Sequence, residues 1–169
     1  MWAVAPGTGS HAKVIEFGYV EARGFVREHL WQATEKPVQR AVRVRSHEGV
    51  PIMHLTSYVP AALGKTFAAD DLGRISLFQL LARAGAHLSR GEQIVSATLA
   101  DPTVASRLGI KVGAALIDMR RLVFDQKDRA VEYLEMLAIP DRMTMRMELG
   151  SGQFAPARTK QKLSRNNRK

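Results

Sequence analysis

Residues 43–60, RVRSHEGVPIMHLTSYVP, have the pattern of a β-hairpin, and this segment decides how the rest of the chain is interpreted. Val42 and Val44 alternate with Arg43 and Arg45. Because successive side chains of a strand point to opposite faces of the sheet, the two arginines share one face and the two valines share the other.

Turn-forming residues lie between the two halves of this segment. Ser46-His47-Glu48-Gly49 favours a turn, and residues 51–58 are rich enough in β-forming residues to return as a second strand. Two like charges about 7 Å apart on one face repel each other unless the face is solvated or an anion lies between them. The hairpin therefore predicts either a solvated pair of surface arginines or an anion-binding face.

The composition is typical of one globular domain. The chain has 169 residues, of which 46% are hydrophobic and 24% are charged. No apolar run is long enough to cross a bilayer, and the N-terminus lacks the pattern of a signal peptide, so we expect a cytoplasmic protein without a membrane partner. The absence of cysteine excludes disulfides, thiol catalysis and cysteine-ligated metals.

Positive charge is concentrated at the C-terminus. The formal net charge is +9, and residues 158–169, RTKQKLSRNNRK, contribute six Lys or Arg and no acid, which leaves +3 for the rest. This composition predicts a basic, disordered tail over residues 151–169. Such a tail is either simply solvated or an arm that contacts nucleic acid phosphates.

Strand patterns and hairpin turns alternate with two well-marked helices. Ser76 is suited to the N-cap of a helix that ends near Gly85. Asp101-Pro102 is an N-cap followed by proline at the first helical position, and Gly109 ends that helix. Six strands and two or three short helices, joined mostly by hairpins, predict an α+β fold.

Three further segments carry predictions. Residues 70–73 are predicted to form a turn, and residues 125–128 another turn between two strands. In residues 142–149, methionines alternate with polar residues, which predicts a half-buried final strand with a methionine face.

Several short motifs follow one another in a fixed order. They are the R-x-R, G-x-P and S-Y-x-P of the hairpin, SLF at 76–78, EQIVSATLAD at 92–101, ASRLGIKVG at 105–113, RRLVFD at 120–125, VEY at 131–133, PDR at 140–142 and MEL at 147–149. Over residues 14–149 this order and spacing resembles the UTRA domain, the effector-binding half of HutC-subfamily GntR transcription regulators.

The resemblance implies a chorismate lyase-like fold, a curved antiparallel sheet of about six strands flanked by short helices, usually in a homodimer. It also implies boundaries: residues 1–12 as a remnant of the linker or wing of a DNA-binding domain, and 13–150 as the effector-binding domain. We expect contact with DNA only through a winged helix-turn-helix domain that this chain lacks.

The resemblance also implies which residues hold the effector. In UTRA domains that respond to phosphosugars, the R-x-R arginines face the effector, and here these are Arg43 and Arg45. Ser76, followed by Leu77 and Phe78, either offers a helix start to an anion or acts only as an N-cap. Glu132 either accepts hydrogen bonds from ligand hydroxyls or forms a salt bridge with a sheet arginine.

The sequence departs from the family pattern at three places. Leu55 stands where an acidic residue is common, Ala138-Ile139 replaces Tyr-Arg, and Met143 replaces the final Tyr. These changes remove hydrogen-bonding groups and add apolar wall at Leu55 and Ala138. They favour a smaller or more apolar organic acid over a phosphorylated amino sugar as the effector.

The sequence does not support an enzyme. It has no G-x-S-x-G or H-E-x-x-H motif, its five histidines lack the spacing of metal ligands, and no cofactor is implied. We therefore predict no catalytic and no metal-binding residues, with a chorismate lyase-like enzyme as a minor alternative. The main hypothesis is a sensor of a small anionic metabolite; the second is an interaction subunit that only dimerises or uses its basic tail.

Overall fold

The computed structural model describes residues 10–145. It contains six strands, five short helices and one 3₁₀ helix. In chain order these are β1 Ser10–Val20, α1 Gly24–His29, β2 Val38–His47, β3 Val50–Pro60, α2 Ala61–Gly64, α3 Ala69–Arg74, α4 Leu77–Arg83, β4 Leu88–Leu99, α5 Pro102–Leu108, β5 Ala115–Asp125, β6 Ala130–Ala138 and the 3₁₀ helix Pro140–Arg142.

All six strands form one antiparallel sheet in the order β1-β2-β3-β6-β5-β4. The α+β prediction is therefore confirmed. Of the helices that the structure describes, the longest have seven residues, and none is long and apolar enough to cross a membrane.

The predicted hairpin is formed by β2 and β3. Its loop is Glu48-Gly49, and both residues have positive φ, 49° and 79°. This is the backbone of a type I′ turn, whose twist matches that of the two strands. Glycine at the second position takes a conformation that other residues rarely adopt.

The two faces of the sheet are covered differently. We call the face that carries Arg43 the arginine face; helices α2, α3 and α4 cover one part of it through a core that includes Leu72, Leu80 and Leu81. On the opposite face, α1 packs over one end and α5 over the other, where Val44 contributes to the core. The period of two predicted for residues 42–45 is thus confirmed.

The predicted helix starts are also confirmed. Ser76 caps α4, because its Oγ accepts a hydrogen bond from the Gln79 amide over 3.3 Å. Asp101 caps α5 by accepting from the Val104 amide over 2.8 Å, and Gly109 ends the helix with φ of 65°. Both caps satisfy amides at the helix start, which have no partner within the helix.

Three local predictions need correction. Residues 70–73 are not an isolated turn but part of α3, whose start is supported by a 2.8 Å hydrogen bond from the Ala68 amide to Asp71 Oδ2. β1 begins at Ser10, inside residues 1–12, the predicted linker or wing remnant, because residues 10–12 pair with β2. The start of the predicted final strand, at Arg142, is wrong. Arg142 ends a 3₁₀ helix that begins at a proline, and residues 143–145 are in no strand. The rest of that strand and the predicted tail lie outside the described residues.

Candidate functional site

A cavity of about 190 Å³ opens on the arginine face of the sheet, beneath the first turn of α4. Strands β2, β3, β5 and β6 supply its floor and walls. The residues that line it are Arg43, Arg45, Met53, Leu55, Ser76, Leu77, Phe78, Met119, Arg121, Glu132, Leu134 and Met136.

Strand register explains why these residues meet. Leu55 pairs with Arg43 on one side and with Met136 on the other, and Met136 in turn pairs with Met119. Residues that are directly opposite in antiparallel strands point to the same face. This row therefore crosses four strands on one face of the sheet. Because alternate residues of a strand point to the same face, Arg45 lies on one side of this row, and Arg121 and Glu132 lie on the other.

Arg43 lies deep in the floor of the cavity, with 5% of its surface exposed. Its Nη2 donates a hydrogen bond to Ser57 Oγ over 3.3 Å, while its Nε has no partner among the described residues. Burial, together with the nearby charges of Arg45 and Arg121, lowers the pKa of Arg43 to about 10, although Glu132 opposes this shift. The alternative of a solvated surface arginine is wrong for Arg43.

Arg45 lies at the rim of the same cavity and is partly exposed. Its Nη1 donates a hydrogen bond to Ser10 Oγ, the first described residue of β1, over 3.1 Å. Partial burial lowers the pKa of Arg45. This arginine therefore touches both the cavity and the start of the first strand.

Glu132 is a buried carboxylate, 1% exposed, on the opposite side of the cavity. Its Oε1 lies 3.7 Å from Arg121 Nη2, so the predicted salt bridge to a sheet arginine is present. Glu132 Oε2 and Arg121 Nε nevertheless have no hydrogen-bond partner in the part of the chain that the structure describes. Burial raises the pKa of Glu132, although Arg121 and Arg43 oppose that effect.

The first turn of α4 closes the cavity from above. The Phe78 ring lies over the guanidinium of Arg121, with 4.7 Å between the ring centroid and Cζ, which is a cation–π contact. Ser76 is engaged within its own helix: its hydroxyl bonds with Gln79, and its amide donates to Gln79 Oε1 over 3.4 Å. The cap role of Ser76 is present, whereas its role toward an anion stays a prediction.

Seven of the eight residues predicted for the site line this one cavity. Ala138 does not: it pairs with Met53 and Ile117 on the same face but is fully buried in the adjoining apolar cluster. Met143, the third departure from the family pattern, packs against the same cluster.

Sequence reasoning missed Arg121 and the apolar residues Met53, Met119, Leu134 and Met136. A signal for Arg121 was present, because a turn at residues 125–128 predicts an antiparallel pair in which Arg121 faces Glu132. In the structure the register differs and includes a bulge between Val123 and Phe124, so that Glu132 pairs with Val123 and Arg121 with Leu134. Arg121 still lies on the face of Glu132.

Comparison with known protein families decides what this domain is. A family model described as the UTRA domain matches residues 6–144. The chain belongs to this family. UTRA domains are the effector-binding domains of GntR-family transcription regulators and are not enzymes, so membership confirms the prediction that this chain is not an enzyme.

Solved structures agree with this assignment. A protein from Streptomyces coelicolor assigned as a transcriptional regulator is 31% identical, covers 79% of this chain and 89% of its own, and has a TM-score of 0.74. The effector domain of PhnF from Mycobacterium smegmatis has the same fold, with 22% identity, coverage of 84% and 88%, and a TM-score of 0.73.

A Bacillus subtilis protein assigned as the transcriptional regulator YydK has a TM-score of 0.80 at 14% identity. It covers 86% of this UTRA chain, which in turn spans 64% of the YydK chain. A search of curated protein sequences gave no significant match.

Proposed function

We propose that this UTRA domain is the sensor of a HutC-subfamily GntR regulator and binds a small anionic metabolite in the cavity beneath α4. In a complete regulator, binding would change the geometry of a homodimer and so the spacing of two DNA-binding heads. The regulator would act in the cytoplasm, without a cofactor.

The observation that carries the anion proposal is the set of buried charged atoms without partners. Arg43 Nε, Arg121 Nε and Glu132 Oε2 belong to side chains that line the same cavity, and these atoms have no hydrogen-bond partner in residues 10–145. Because buried polar atoms in folded proteins are almost always hydrogen-bonded, three such atoms around one cavity favour an occupant that completes them.

The charge balance around the cavity favours an anion. Three arginines and one glutamate line it, so positive charge is in excess whether or not Glu132 is ionised. A guanidinium also offers paired donors that match the oxygens of a carboxylate or a phosphate. We propose that Arg43, Arg45 and Arg121 bind the anionic group, with Glu132 accepting hydrogen bonds and Leu55, Leu77 and Phe78 forming the apolar wall. Ser76 contributes as the cap that fixes α4, and Ala138 packs behind the wall.

The homodimer proposal is supported by β4, which is an edge strand of the sheet. Ile94, Val95 and Leu99 on this strand are exposed by 69%, 46% and 67%. A long edge strand with exposed apolar residues is unusual in a monomer, because it pairs readily with another chain. The same observation fits the second hypothesis, an interaction subunit that dimerises without sensing.

Native mass spectrometry of the purified protein tests both parts of this proposal. We expect a dimer with a small co-purified anion in wild type, and loss of the anion but not of the dimer in Arg43→Met. Leu99→Lys should yield monomer, whereas Val112→Lys, at a position equally exposed but outside β4, should not. A wild-type monomer would contradict the dimer, and a dimer that takes up no added anion would favour the interaction subunit.

A further inference from the structure

The walls of the cavity are mostly apolar. Met53, Met119 and Met136, together with Leu55 and Leu134, make up the apolar part of the floor, and charged residues line the rest of the cavity. All five are buried, with at most 6% of their surface exposed. Such a surface gains free energy by contact with apolar groups and leaves ligand hydroxyls without hydrogen-bond partners.

The position that could take a phosphate at the start of α4 is already occupied by protein groups. The Ser76 amide donates to Gln79 Oε1, and the Gln79 amide donates to Ser76 Oγ. Helix α4 has only seven residues. Among the side chains that line the cavity, the groups that can bind an anion by charge are the arginines.

The charge next to the unpartnered atoms suits one negative charge better than two. Arg45 lies at the partly exposed rim, whereas Arg43 and Arg121 lie near the buried Glu132, and the charges of these three groups sum to one positive charge when Glu132 is ionised. One carboxylate balances that charge. The second charge of a dianionic phosphate monoester would depend on Arg45 at the rim and would lie near the buried carboxylate of Glu132, which is costly where water is excluded.

We propose that the effector is a monocarboxylate whose remaining part is apolar, and not a phosphorylated sugar. Its carboxylate binds the guanidiniums of Arg43 and Arg121, whose Nε atoms have no partner among the described residues, and its apolar part lies along the three methionines. Methionine suits this role because its flexible, polarisable side chain adapts to ligands of different shape. The inference rests on the sensor function proposed above and specifies its ligand class.

Isothermal titration of the wild-type domain with acetate, butanoate, pentanoate and hexanoate tests this inference, with glucose 6-phosphate and inorganic phosphate as the competing probes. Each added methylene should tighten Kd by about fourfold until the cavity is full, since burial of one methylene contributes about 0.8 kcal/mol. Glucose 6-phosphate should bind no better than inorganic phosphate.

Two variants of Met119 test whether the methionine floor causes the dependence of Kd on chain length. Met119→Gln places an amide in the floor at similar size and should flatten the dependence of Kd on chain length, whereas Met119→Leu should preserve it. The wild-type series decides the inference even if Met119→Gln fails to fold.

The possible outcomes separate the two proposals. If glucose 6-phosphate binds more tightly than every carboxylate and needs Arg43, the ligand class is wrong and the sensor function stands. A wild-type Kd that does not change with chain length would also overturn the ligand class. If no anion of either class binds, the sensor function fails and the inference fails with it.

Discussion

Arg45 and Ser10 are joined by a hydrogen bond of 3.1 Å between Nη1 and Oγ. The arginine lies at the rim of the candidate effector cavity, and the serine is the first described residue of β1. One side chain thus connects the cavity to the N-terminal end of the described chain. This contact gives a ligand in the cavity a direct way to affect the start of β1.

We expect an anion in the cavity to weaken this bond, because Arg45 would then donate to the ligand. Amide hydrogen exchange in residues 10–14 should become about fivefold faster when sodium hexanoate is added, since one such bond contributes about 1 kcal/mol. In Ser10→Ala the bond is absent, so the addition should cause no acceleration. Slower exchange in residues 10–14 of the wild type would contradict a weakened Arg45–Ser10 contact.

Glu132 is expected to cost stability at neutral pH. Its folded-state pKa is raised by burial, so the folded protein holds the Glu132 proton more tightly than the unfolded chain does. Stability should therefore fall as pH rises from the ordinary glutamate pKa, about 4.3, through the raised folded value. Below that window the penalty is absent.

Urea unfolding of the isosteric variant Glu132→Gln checks this expectation. The variant should be more stable than wild type at pH 7.5, and the difference should disappear near pH 4. A loss of stability in Glu132→Gln at pH 7.5 that disappears near pH 4 would show that the contact with Arg121 outweighs the cost of burial.

Ser76 offers a test of the cap against the ligand role. Ser76→Ala should lower the free energy of unfolding by about 1 kcal/mol, because the Gln79 amide loses its acceptor. Asp101→Ala is the matched control, since it removes the corresponding cap of α5, away from the cavity. If Ser76 is only a cap, urea unfolding should give similar losses for the two variants.

The Kd for hexanoate then separates the two roles. It should stay within about twofold of wild type in both variants, because the Ser76 hydroxyl is already bonded within its helix. A loss of about tenfold in Ser76→Ala alone, equivalent to about 1.4 kcal/mol, would identify Ser76 as a ligand-binding residue.

Much of the fold could be predicted because local chemistry dictates it. Alternation fixed the faces of Arg43 and Val44, and Asp101-Pro102 with Gly109 bounded α5. The start of α3 was missed because its cap comes from Asp71, inside a segment whose acidic and glycine residues favour a turn. The methionine alternation suggested a strand, but a proline-initiated 3₁₀ helix includes Arg142.

The site was predicted less completely, for a different reason. Seven of the proposed residues could be placed by motif, whereas Arg121 and Met119 reach the cavity through the pairing of β5 with β6. That register includes a bulge near Val123, and no local pattern around it indicates the shift. Residues that meet through long-range register are harder to infer than residues within one turn.

The most direct test of the central claim compares two arginines of β2 that lie on opposite faces of the sheet. Arg43 faces the cavity, whereas Arg40 forms a 2.6 Å ion pair with Glu16. The measurement is the rise in Tm on adding hexanoate or glucose 6-phosphate to wild type, Arg43→Met and Arg40→Met, with circular dichroism to verify folding.

At a ligand concentration of about 100 Kd, the better of the two anions should raise the Tm of wild type and of Arg40→Met by about 5–10 °C. Folded Arg43→Met should show no rise. An equal rise in Arg43→Met would contradict anion sensing through the arginine face, as would the absence of any rise in wild type.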